Sequence, residues 1–317
     1  MQDHIPTAQD ITTAHDRIRK YIHRTPILTN AYINELAGAD IYFKCENFQK
    51  VGAFKARGGL NTVLSLRNEE LNKGVATHSS GNHAQAIALA AKMARTKAYI
   101  VMPSSAPAIK KAAVRDYGAQ IIECEPTLEA RETTLQKVVD DTGAIFIHPY
   151  NDYRVIQGQA TAAKELIEDV PEKLDAIVTP VGGGGLLSGT ALSAHYFSAG
   201  TKVFAGEPEG ADDAYRSFQS GTLIPQINPK SISDGLLTSL GEKPFEIIKK
   251  YVSEIFLVNE EEIIDAMRLV WERMKIIVEP SCATTLAVVL KNKAQFKGKK
   301  VGLILTGGNV DLKKLPF

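Results

Sequence analysis

Two hydrophobic periods alternate along this chain, and that alternation limits its possible folds more than any other feature. Short apolar runs, "IYFKC", "GVAT", "AYIVM", "QIIEC", "AIFIH", "LDAIVTPV", "KVFAGE" and "KKVGLILTG", carry the pattern of strands. Between most of them lie segments with helical spacing, such as Ile11, Ala14, Ile18 and Tyr21, or the alanine-rich "HAQAIALAAKMAR". Thr7 with Asp10 predicts a capping box at the first helix, and Gly38 after "AYINELA" predicts a helix stop. Strands feeding helices in this order predict an α/β protein with mostly parallel, twisted sheets flanked by helices. No internal repeat, low-complexity tract or long linker interrupts the pattern. The segment 74–148 reads as four strand–helix units and could build its own sheet. Two domains are therefore expected: a large one from residues 1–70 and 150–317, and a small one, 74–148, inserted in it.

Composition excludes several classes. The 317 residues carry a formal net charge of +1 with both signs interspersed, so no basic stripe suits a nucleic-acid backbone. The start, "MQDHIPTAQD", lacks the regions of a signal peptide, and no apolar stretch is long enough to span a bilayer. Cys45, Cys124 and Cys282 are too few and too scattered for a disulfide framework or a zinc site. A cytoplasmic protein is the expectation.

In open parallel sheets ligands bind beyond the carboxyl ends of strands, so the residues just after the strands matter most. "VGGGG", Val181 to Gly185, follows "LDAIVTP" and opens a helix. Consecutive glycines can aim several N–H groups at one point, and the helix dipole adds positive potential, which suits a phosphate. A flexible linker is the plainer reading. A dinucleotide site is the rival, because Glu207 stands 24 residues after Gly183, but Leu187 breaks the G-x-G-x-x-G spacing. "THSSGNHAQA", Thr77 to Ala86, sets hydroxyls, an amide and imidazoles at a helix start, as a cap or as a carboxylate site. "LTGGNVDL" places Thr306 at a strand end, in a turn or against a ligand. Lys55, in "VGAFKARGG", sits between Phe54 and small residues. Its stem packs while the ammonium reaches water, or burial lowers its pKa and frees the lone pair. A phosphate site, an amine for an aldehyde, a partner for a ring nitrogen and room for an amino acid together suit pyridoxal phosphate.

Taken in order, "GAFKARGG", "SSGNHAQA", "VGGGG" and "LTGGN" resemble the fold-type II pyridoxal-phosphate enzymes, in the group of serine racemase and the serine/threonine dehydratases. "FKCENFQK", "GEPEGADDA", "SDGL" and "WERMKIIVEP" extend the resemblance. It implies a tryptophan synthase β-like fold with pyridoxal 5'-phosphate on Lys55, whose amine then serves as base on one face of the substrate α-carbon. Phe54 would flank the ring, Asn82 would bond its 3′-oxygen, and Thr306 would meet the pyridine nitrogen. Gly182, Gly183, Gly184, Gly185 and Leu186 would hold the phosphate. Ser79, Ser80, Asn82, His83 and Arg131 would receive the substrate carboxylate. Glu207, Asp213 and the Ala211 carbonyl match a divalent-cation site suited to Mg²⁺ or Ca²⁺. Lys50, Gln85, Tyr117, Lys275 and Asn309 match positions for a nucleotide effector such as ATP at the interface of a homodimer.

Four residues bear on the reaction. Ser80 stands where the resembling dehydratases carry alanine, and its hydroxyl could reprotonate the face opposite Lys55. Thr306 protonates the pyridine nitrogen less firmly than an aspartate would, so loss of a β-hydroxyl competes. Tyr150 and Ala53 depart from the mammalian racemase pattern. The expectation is a serine racemase with accompanying β-elimination on L-serine and related β-hydroxy amino acids. Dehydration of L-threonine or threo-3-hydroxyaspartate without useful racemisation is the alternative. A nicotinamide-dependent dehydrogenase and a non-catalytic binding protein are more remote. The few residues after "LTGGNVDL" hold no regulatory domain, so feedback inhibition by isoleucine is not expected.

Overall fold

A computed structural model describes residues 4–317. Its strands are β1 (Ile27–Leu28), β2 (Asp40–Cys45), β3 (Val75–His78), β4 (Ala98–Pro103), β5 (Gln120–Cys124), β6 (Ile145–Phe146), β7 (Ala176–Pro180), β8 (Lys202–Pro208), β9 (Glu254–Val258) and β10 (Lys300–Leu305). They form a six-stranded sheet, β1-β2-β10-β7-β8-β9, and a four-stranded sheet, β5-β4-β3-β6. All neighbours pair in parallel except β1, which runs antiparallel to β2.

The two sheets repeat one topology. From β3 the chain steps outward through β4 and β5, then returns to place β6 on the other side of β3. From β7 it steps outward through β8 and β9, then returns to place β10 on the other side of β7. Each sheet thus has a reversal point, between β3 and β6 and between β7 and β10. Crevices open at such points because the flanking connections leave on opposite faces.

Helices Glu260–Met274 and Pro280–Lys291 cover one face of the larger sheet with Ile263, Met267, Val270 and Leu286. Helices Tyr153–Asp169, Gly185–Phe197 and Glu242–Tyr251 cover the other with Ile156, Leu166, Leu187 and Ile247. Both faces being dry, its central strands are buried and apolar along most of their length. The helix Lys55–Leu64 lies between the sheets. Its Leu60 and Val63 join Val75, Ile87 and Ile100 in the core of the smaller sheet. It also crosses Tyr153–Asp169 so closely that a Cβ at Gly158 would lie 2.6 Å from the Arg57 carbonyl oxygen. Only glycine fits there.

The structure refines the local expectations. Thr7 and Asp10 form the capping box reciprocally, and Gly38, at φ +67°, ends the helix Ala31–Ala37. The first helix stops at Ile18, so Tyr21 lies beyond it. The segment 74–148 holds four strands but three helices, Asn82–Ala94, Ala108–Asp116 and Leu128–Thr142. The helix after β6 packs mainly on the larger sheet instead, through Ile156, Ala160, Ala163 and Leu166. "AIFIH" pairs as a strand only at Ile145–Phe146, because Pro149 lacks an N–H and His148 turns its ring onto the following main chain.

Candidate active site

Lys55 opens its helix, and Arg57 follows two residues later on the opposite side. Arg57 is fully buried and uses all five guanidinium hydrogens. Nε and one terminal nitrogen donate to Glu46 at 2.7 and 2.8 Å. The terminal nitrogens also donate to both Glu165 oxygens, at 2.9 and 2.7 Å, and to the Thr161 hydroxyl at 3.1 Å. Lys44 and His15 complete the Glu165 shell at 2.8 and 3.1 Å. Burial opposes ionisation of Glu165, but hydrogen bonds from His15 and Arg57 with the charges of Arg57 and Lys44 hold its carboxyl well below the usual range. The cluster pins the lysine's helix to β2 and to Tyr153–Asp169.

On the cleft side the amine of Lys55 donates to the Pro149 carbonyl at 3.1 Å. Protein atoms surround that amine, and burial brings its pKa down to about 8 against the opposing charge of Glu279. Phe54 has its ring centroid 5.1 Å from the amine. The Phe54 N–H donates to the Thr306 carbonyl at 3.0 Å, and Ala53 bridges Gly307, so the lysine loop is stitched to the end of β10. Thr306 is 3% exposed. Asn82, at the start of the helix after β3, donates to both Glu279 oxygens at 3.0 and 3.2 Å and accepts from Asn309 at 2.8 Å.

The four glycines follow β7. Gly184 has φ +87°, and a Cβ on Gly183 would lie 2.2 Å from the Tyr150 ring. Side chains are thus excluded from the loop. Among the described residues no acceptor takes the buried N–H of Gly182, Gly183 or Gly184. Gly185 and Leu186 add first-turn donors of the helix Gly185–Phe197, which geometry leaves unpaired. Such a concentration of buried, unsatisfied donors is costly unless an anion accepts from them. With a desolvated amine and a strand-end hydroxyl beside it, the residues present fit pyridoxal phosphate.

The remaining expected residues fall as follows. Ser79 and Ser80 are half-buried after β3, and Ser80 makes no hydrogen bond among the described residues. Arg131 stands on the first turn of Leu128–Thr142, near enough to His78 to help burial depress its pKa. The His83 ring is turned inward. It is 3% exposed, and its Nε2 faces the Ile147 carbonyl at 3.4 Å, which leaves Nδ1 buried as an unpartnered acceptor. Burial, then the Lys55 charge, holds its pKa well below the ordinary value, so the neutral ring has no hydrogen to offer a carboxylate.

Glu207, at the end of β8, accepts from the N–H groups of Ala214 and Tyr215 at 3.0 and 2.7 Å. Both of its oxygens are thus taken by main-chain donors, which leaves the ribose acid of the dinucleotide reading without support. Burial raises its pKa well above the ordinary value with help from Asp213, and burial raises Asp213 to about 6. Asp213 keeps one buried oxygen without a partner. These two carboxylates and the buried Ala211 fit a hard cation, although among the described residues no three acidic, histidine or cysteine side chains cluster as a metal site. Asn309 also bonds the Val51 carbonyl at 2.7 Å, beside Lys50, and the helix bearing Gln85 packs on that turn. Tyr117 packs on the core of the smaller sheet, and Lys275 caps Glu260–Met274 at φ +61°.

Two site residues, Glu279 and His148, escaped the sequence reading, and Tyr150 was noted there only as a departure from the mammalian pattern. Glu279 lies just before Pro280, where an acid reads as an ordinary helix cap. Burial and the charge of Asp234 push it up to about 7 despite the bonds from Asn82 and Asn309. Tyr150 walls the glycine loop, and burial pushes its phenol up to about 12. His148 stacks edge-on against Tyr150 with ring centroids 4.6 Å apart. The "HPY" tripeptide, directly after an apolar run, was the available signal for the last two.

The sequence profile for "Pyridoxal-phosphate dependent enzyme" matches residues 18–307. A β-hydroxyaspartate dehydratase of Paracoccus denitrificans is 52% identical, over 99% of this chain and 99% of its own length. A serine racemase of Dictyostelium discoideum is 54% identical, over 98% of this chain and 96% of its own. The crystal structure of the Dictyostelium discoideum serine racemase superposes with a TM-score of 0.93, covering 96% of this chain and 99% of the other. The nicotinamide and non-catalytic readings are thereby set aside. With its half-buried lysine, its glycine loop of unpaired donors and this match, the chain belongs to the pyridoxal-phosphate dependent enzymes of fold type II.

Proposed function

We propose that this protein removes the α-proton of L-serine and related β-hydroxy amino acids. Elimination of the β-hydroxyl gives an α-keto acid and ammonia, and reprotonation on the opposite face gives D-serine. The observation that carries the reading is the Lys55 amine, desolvated to a pKa of about 8 and held on the Pro149 carbonyl beside a loop of unpaired N–H donors. When bound on Lys55, the cofactor supplies the electron sink for the α-carbon. Lys55 in its free-amine form takes the α-proton, a role its lowered pKa favours near neutral pH. The N–H groups at the start of Asn82–Ala94, with Ser79, Ser80 and Arg131, receive the substrate carboxylate. Ser80, whose hydroxyl has no partner among the described residues, delivers the proton on the second face. Thr306, a neutral hydroxyl, leaves the ring nitrogen without a full countercharge, so elimination accompanies racemisation.

A second reading, dehydration of a hydroxyaspartate, is supported by the 52% identical Paracoccus relative and by an L-threo-3-hydroxyaspartate ammonia-lyase of Saccharomyces cerevisiae, 48% identical over 98% of this chain. The same reading includes Mg²⁺ or Ca²⁺ at Glu207, Asp213 and the Ala211 carbonyl, supported by the raised carboxylate pKa values. It includes a homodimer, the small domain at 74–148, a cytoplasmic setting, and an ATP-type effector at Lys50, Gln85, Tyr117, Lys275 and Asn309. Among the described residues no helix is long and apolar enough to cross a membrane. The test is a panel of L-serine, D-serine, L-threonine and the hydroxyaspartates, followed for keto acid and chirality with and without Mg²⁺, after borohydride mapping of the labelled lysine. A label on any amine other than Lys55 overturns the reading.

A further inference from the structure

His148 follows β6 at the reversal point of the smaller sheet, one residue before the carbonyl that holds the Lys55 amine. Its Nδ1 accepts from the main-chain N–H of Asn151 at 2.9 Å and of Tyr150 at 3.3 Å. A ring nitrogen that accepts carries no hydrogen, so the neutral imidazole bears its proton on Nε2. Among the described residues no protein acceptor takes that Nε2–H, and the ring is half-buried, so the donor is open to a ligand. The ring is locked edge-on against Tyr150, which itself walls the glycine loop. A fixed, neutral, unpaired donor therefore stands within a side chain's reach of the base.

We propose that the Nε2–H of His148 donates to the oxygen on the substrate β-carbon and so selects β-hydroxy amino acids. This rests on the α-proton chemistry assigned to Lys55 above. Burial, together with the charges of His78, Lys55 and Lys243 against the opposing Asp152, takes the ring down to about 4 and keeps it uncharged. No bond forms or breaks at the imidazole. It orients the hydroxyl and polarises the carbon–oxygen bond, while the proton that leaves with the hydroxyl comes from elsewhere. A site built around a donor for a hydroxyl also discriminates against substrates lacking one, since the donor is then left unpaired.

The test uses the holoenzyme and two variants, His148→Phe, which keeps a ring without the donor, and His148→Asn, which restores an N–H. Three reactions are compared: elimination from L-serine, elimination from β-chloro-L-alanine, whose chloride needs no donor, and α-deuterium exchange into L-alanine in D₂O, read by NMR. In His148→Phe, kcat/KM for L-serine is expected to fall roughly 10- to 100-fold while the other two stay within about threefold, and His148→Asn should recover part of the loss. Equal losses in all three reactions, or no loss with L-serine, would overturn the proposal. If the unsubstituted holoenzyme eliminates from neither L-serine nor β-chloro-L-alanine, the parent reading fails first and takes this one with it.

Discussion

Two buried polar centres meet on the first turn of one helix, and they are built oppositely. Around Arg57 every guanidinium hydrogen has an acceptor, and two cations balance the carboxylates of Glu46 and Glu165. Around Lys55 the donors are in surplus: the N–H groups of Gly182, Gly183 and Gly184 and the Nε2–H of His148 lack acceptors among the described residues. Glu279 is pushed up toward neutrality, whereas Glu165 is held down. A satisfied buried network is structure, because removing any member leaves a desolvated charge. An unsatisfied one is costly to the empty protein and marks where a ligand completes it.

The contrast can be broken most sharply at the lysine. Lys55→Ala should lower turnover by at least about 10²–10⁴-fold, as expected for a lost acid–base group, and abolish the borohydride-fixed label. It should leave the thermal midpoint of the cofactor-free protein unchanged or raised, since a buried amine is removed. Arg57→Met should do the reverse. By stranding two buried carboxylates it should cost about 3–5 kcal/mol in denaturant unfolding of the cofactor-free protein.

The carboxylates sharpen the comparison through pH. Glu279 rises from 4.5 to about 7 on folding, so the folded state binds more protons between those values, and stability falls as pH rises through that window. Asp213, raised to about 6, adds to the same slope. Glu165, held low, has the opposite sign: its stabilisation is complete above its unfolded value and is lost as the solution is acidified below it. Glu279→Gln should therefore flatten the fall between pH 4.5 and 7 by on the order of 1–3 kcal/mol, measured by urea unfolding of cofactor-free protein at several pH values. Ser80→Ala should have the smallest effect on folding. D-serine formation should drop at least about 10²-fold while L-serine elimination largely persists. Unchanged interconversion of the enantiomers would remove Ser80 from the second face.

Much of this was legible in the chain. "VGGGG" between a strand and a helix suggested an anion loop from local chemistry, whereas Lys55 stood out as a candidate amine only when the four motifs were read together. The strand–helix alternation predicted the parallel sheets, but not β9, nor the departure of the helix after β6 to the larger sheet. Glu279 was illegible, since an acid before a proline is an ordinary cap until the fold brings Asn82, 197 residues away, against it. His83 shows the limit of residue type, which does not say which ring nitrogen is buried.

By itself, the sequence determined most of the elements and the candidate loops, because these are written in neighbouring residues, and the four motifs in order carried the family resemblance. Only the tertiary structure decided which buried groups are paired and which are left waiting. That depends on burial and on distances between residues far apart in the chain, and a pKa or a tautomer exists only once those distances are set.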